Sequence, residues 1–148
     1  MYLERHDERT GAAVWLFDNA SADDWARHLD DLRKVAEWKK PGGRRVAAIL
    51  IFRDFDRPDA KTRAELVRLT EAPGYDPHVA FVTANFAVRA MLTMFSWMQK
   101  APRYEMDYFG TTAEGQTWLE GRRGELPILE TMIREVRSEY QQHGGDFR

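Results

Sequence analysis

Apolar runs and helically spaced apolar stripes alternate along the chain. The clearest alternation spans residues 78–100, HVAFVTANFAVRAMLTMFSWMQK. A short apolar run, Val79 to Val82, breaks at Thr83-Ala84-Asn85. Apolar residues then recur at helical spacing to Met98. This pattern predicts a buried strand turning directly into a helix, half of a βαβ unit. A second strand is predicted over 46–52, seven apolar residues without interruption, as a central parallel strand requires. Before it, residues 2–5 and 12–17 flank the polar, Gly-ended stretch 7–11 and predict a hairpin.

Helices fill the intervals. Ser21-Ala22-Asp23-Asp24 resembles a capping box, and Trp25, Leu29, Leu32, Val35 and Ala36 share one face. A helix over 59–71 is expected to bury Ala60, Ala64, Leu66 and Val67. A strand over 104–109 follows the long apolar segment. Thr111-Thr112-Ala113-Glu114 then opens a short helix over 112–120, with a break expected at 121–124. A last helix over 127–141 aligns Leu129, Met132, Ile133, Val136 and Tyr140. The predicted class is α/β, with one mixed, mostly parallel sheet covered by helices in the order ββαβαβαβαα. No linker divides residues 1–148, so one domain is expected, with 126–148 as an appended helix and tail.

In this order the residues carry a resemblance. The strand at 46–52, the segment AFVTANFAVRAMLTMFSWMQKAP and the closing YEMDYFGTTAEGQTWLE are similar to the STAS-like domains, relatives of bacterial anti-sigma factor antagonists. The similarity covers about 12–120. It includes an Arg early in the helix after a strand, Arg89, and a later helix ending in Trp118-Leu119. The resemblance implies a docking scaffold that acts through protein contacts. In the antagonists a Ser in an Asp-Ser-Ser/Thr-Gly-like turn is phosphorylated. Here the corresponding turn reads Arg53-Asp54-Phe55-Asp56-Arg57-Pro58, with neither Ser nor Gly. A switch of that kind would need an unusual site such as Thr62 or Thr111.

Composition narrows the chemistry. With 43% hydrophobic and 31% charged residues the chain is globular rather than disordered. A net charge of -2 and a pI near 6.1 give no footprint for nucleic acid. Cysteine is absent, which removes thiol catalysis and thiolate metal sites and fits a reducing, cytoplasmic compartment. The first residues lack the apolar core of a secretory signal, and Asn85 and Arg89 interrupt the nearest approach to a membrane span. No cofactor or metal is expected, because His6, His28, His78 and His143 lack ligand spacing and read as surface or edge residues.

Two functional readings remain. In the first, a non-enzymatic regulatory or scaffold domain binds a protein partner, including a second copy of itself. The helix over 86–99 supports this reading. Val88, Met91, Leu92, Phe95 and Met98 form one apolar stripe. Phe86, Ala90, Thr93, Met94 and Trp97 form a second, which the last helix or another chain must cover. Phe86, Met94 and Trp97 are the interface candidates. In the second, a small anionic or lipid-like molecule, or a substrate, meets a polar rim beyond the strand carboxyl ends. That rim consists of Arg53, Asp54, Asp56, Arg57, Asn85 and Arg89. Asn85 and Asp56 also read as helix caps.

Overall fold

A computed structural model describes residues 1–54 and 57–147, the side chains of Pro41 and Trp97 excepted. Five strands form one sheet in the order β1-β2-β3-β4-β5: β1 (Tyr2–Asp7), β2 (Ala12–Asp18), β3 (Ala47–Asp54), β4 (His78–Val82) and β5 (Glu105–Phe109). β1 pairs antiparallel with β2, and every later pair is parallel. The α/β class and the order ββαβαβαβαα are as predicted.

The pleat divides the apolar strand residues between two faces. Trp15, Phe17, Leu50, Phe52, Val79 and Phe81 point to one. Val14, Leu16, Ile49, Ile51, Ala80 and Val82 point to the other. The first face receives the crossover helices α1 (Ala22–Glu37), α2 (Ala60–Thr70) and α3 (Phe86–Trp97). Connections of one hand between strands laid down in one direction put every crossover on the same face. The opposite face is left to the chain after β5. There α4 (Thr112–Arg123) packs on β3, β4 and β5, and α5 (Pro127–Gln142) lies across β1 and β2.

The helix starts follow their caps. Ser21 closes a reciprocal box with Asp24 ahead of α1. Thr111 accepts from Glu114 N, while the Glu114 carboxylate reaches one residue further back, to Gly110 N. The cap of α2 is Asp59, which accepts from Thr62 N at 2.7 Å. Asp56, the other candidate for that role, lies outside the described residues. Two sequence expectations need correction. α4 does not stop at Gly121 but runs to Arg123, and Gly124 at φ +85° ends it in a conformation side chains resist. α2 buries Leu66, Leu69 and Thr70, while Ala60 and Ala64 face out. Packing on the sheet favoured the larger side chains over the alanine stripe.

Candidate functional site

An apolar opening lies on the crossover face, between α2 and α3. It is a cavity of about 450 Å³, within the range of small-molecule sites. Its floor is Phe17, Leu50, Phe52, Val79 and Phe81 of the sheet. Trp25, His28 and Leu32 of α1 close one side. Leu66 and Thr70 of α2 face Met91, Leu92, Met94, Phe95 and Met98 of α3.

The gap follows from how α3 is seated. Asn85 caps it three residues after β4, accepting from Ala87 N at 2.9 Å and Val88 N at 3.4 Å. Of the first stripe, Val88 and Leu92 are buried, Met91 and Phe95 are half-buried, and Met98 is 46% exposed. At its far end α3 is tied to α2: Tyr104 OH donates to Gln99, Gln99 Nε2 donates to Thr70 Oγ1, and Thr70 donates to Leu66 O at 2.7 Å. The second stripe has no cover from α5, which sits on the opposite face. Phe86 is 85% and Met94 52% exposed. The Trp97 side chain lies outside the described residues.

One wall of the cavity holds a polar relay that sequence reading missed. His28 was expected at the surface or an edge, but it is 2% exposed. It sits amid Tyr2, Trp15, Phe17 and Trp25, each ring meeting it edge-on. Tyr2 OH donates to Asp31 Oδ2 at 2.7 Å and lies 3.0 Å from His28 Nδ1. A phenol has one proton to give, and the carboxylate takes it. The bond to His28 therefore requires Nδ1–H as donor. That leaves Nε2 as an unprotonated acceptor, without a protein partner among the described residues, on a ring that lines the cavity. Burial, with a smaller push from His6, drives His28 down to about 3, so it is neutral at ordinary pH. Burial, followed by the bond to Asp31, raises Tyr2. Burial also lowers His6, against the pull of Asp31. The signal was present in the sequence: His28 and Asp31 fall at helical spacing with Trp25, Leu32 and Val35, on the buried stripe of α1.

The predicted rim does not gather into one site among the described residues. Alternation along β3 separates its two neighbours. Arg53 turns to the α5 side, donating to Asp146 O at 2.5 Å and lying over the Phe147 ring. Asp54 lies with Asn19, whose Nδ2 is 3.4 Å from Oδ2. Asn85 is spent on the α3 cap. Arg89 lies over the Tyr108 ring at 5.8 Å. Asp56 is outside the described residues. Of the five described members Arg57 alone lines the cavity; it is exposed, and the half-buried Arg63 lines the cavity too. Among the described residues no three His, Asp or Glu converge as a metal group, and no helix is long and apolar enough to cross a membrane.

Comparison with protein-family models, with curated proteins and with solved structures gave no match.

Proposed function

We propose that the domain binds a small lipid-like acid in the cavity between α2 and α3, without chemistry on it. One observation carries this reading: a largely apolar cavity of about 450 Å³ whose lining includes two cations, the exposed Arg57 and the half-buried Arg63. An alkyl or aryl body would cover Met91, Leu92 and Phe95 and gain roughly 25 cal/mol per Å² of apolar surface withdrawn from water. A carboxylate would stay at the arginines, where a bidentate pair is strong and desolvation small. His28 Nε2 offers an acceptor to a hydroxyl on that body. Among the described residues that line the cavity there is no Asp or Glu, which favours binding over catalysis. The absence of cysteine fits a cytoplasmic setting.

Titration of decanoic acid and decanol, followed by fluorescence of the wall residue Trp25, tests this. Both ligands should bind, and Arg57→Gln should weaken the acid about tenfold, ~1.4 kcal/mol, while leaving the alcohol unchanged. Absence of saturable binding by either ligand at about 1 mM would remove the proposal.

A second reading rests on the exposed side of α3 and on the STAS-like resemblance. Phe86, Met94 and Met98 offer an apolar strip to a protein partner or to a second copy of the chain. Light scattering of the wild type and of Phe86→Glu separates these. A monomer at about 100 μM in both cases ends the self-association version.

A further inference from the structure

At the amino edge of the parallel strands, the end opposite Arg57, a second depression of about 520 Å³ is lined by Arg44, Arg45, His78, Arg122, Arg123 and Gly124. The residues come from three places in the chain. Arg44 and Arg45 precede β3, His78 begins β4, and Arg122 and Arg123 end α4. Four guanidinium charges therefore converge on a chain whose net charge is -2.

Internal pairing accounts for only part of this charge. Glu105 Oε1 accepts from Arg122 Nε at 2.6 Å, and Oε2 lies 2.9 Å from His78 Nδ1. Arg123 Nη2 donates to Thr10 O. Gly11 makes room for that guanidinium, since a Cβ there would lie 3.2 Å from Nη2. The last turn of α4 also favours cations through its unpaired carbonyls. None of this explains Arg44 or Arg45, for which no partner exists among the described residues. Nor does it explain Arg123, which is only 8% exposed and has a buried Nε without a hydrogen bond. Burial and the nearby Arg44 both hold Arg123 below its ordinary value. Burial likewise lowers His78, against Glu105 and with help from Arg45 and Arg122. Like charges are held together here, and among the described residues no Asp or Glu lines the depression.

We infer that this basin is a binding site for a small, multiply charged phosphate-type anion, recognised by Arg44, Arg45 and Arg123 with His78 at its edge. A compact tetrahedral group accepts several guanidinium donors at once, and its charge matches the excess that Glu105 leaves. A monocarboxylate would leave the cluster positive. The site is independent of the apolar cavity, since it shares no residue with it.

The experiment uses inorganic pyrophosphate and the full chain, read by calorimetry and by the imidazole proton shifts of His78. Saturable binding, weakening as salt rises and moving the His78 signals, is expected. Arg44→Gln with Arg45→Gln, both at exposed positions, should weaken it about tenfold or more while leaving thermal unfolding unchanged. Lys61→Gln on α2 should change nothing. Lack of saturation, an unmoved His78, or equal affinity in the double variant would each overturn the assignment.

Discussion

Beneath α4 and α5 the sheet is met closely. Leu119, Leu129 and Val136 are fully buried. Gly115 brings α4 so near that a Cβ there would lie 3.0 Å from Val82 Cγ2 and 3.3 Å from Ile49 Cδ1. Beneath α2 and α3 the same strands present Leu50, Phe52, Val79 and Phe81 to an open volume instead. The strands are equally apolar on both sides, so composition does not set the difference. It comes from the covering helices. α4 carries a glycine at its closest approach. α3 carries Met91 and Phe95, and Met98 caps its end; these large side chains line the space beneath the helix without filling it. Covering a sheet and filling the space above it are thus separate tasks, and one face accomplishes only the first.

The most direct way to break this contrast is truncation on each side. Leu129→Ala should cost about 3 kcal/mol or more, because the filled face cannot collapse around the loss. Met91→Ala, bordering space that already exists, should cost about 1 kcal/mol or less. Equal losses in urea unfolding would mean that both faces are packed alike.

Acid probes the crossover face through His28. Its folded value is about 3 against an ordinary 6.5, so the unfolded chain takes the proton first as pH falls. Its neutral burial therefore contributes fully above pH 6.5, and that contribution is lost progressively between 6.5 and about 3. His28→Gln should flatten the stability profile in that window, measured against wild type. His6, shifted in the same direction, keeps part of the slope. An unchanged profile would place His28 in contact with water.

Gly115→Ala sharpens the filled side, and a loss of about 2 kcal/mol is expected from the overpacked contact with Val82 and Ile49. Thermal unfolding checks it, and a neutral result would show slack beneath α4. The smallest effect belongs to Phe86→Ser, which should leave unfolding within about 0.5 kcal/mol because that ring is 85% exposed.

The strands and their order were legible because β2, β3 and β4 are short, uninterrupted apolar runs separated by helical patterns. The face of α2 was not, since Ala60 and Ala64 fit a stripe as well as Leu66 and Leu69 do, and only volume against the sheet distinguishes them. The described rim residues do not gather into one site, because a period of two sends Arg53 and Asp54 to opposite sides. Residue type alone puts His28 at the surface, whereas its position on the Trp25–Leu32–Val35 stripe buries it. A cavity is what side chains leave unfilled, so no run of residues spells it. The basic basin joins Arg44 to Arg123 through strand edges and a helix end, a proximity that no local pattern records.

The placement of α5 has a bearing on synthesis. Arg5 pairs with Glu135 and Glu139, and Tyr140 OH donates to Asp18 at 2.8 Å, so the first hairpin is completed by an element made long after it. Until α5 emerges, Val14 and Leu16 have no roof. Nascent chains halted after Gly124 should be captured by chaperones or cleaved by protease far more readily than those halted beyond Phe147, and equal resistance of the two would show that the hairpin matures without α5.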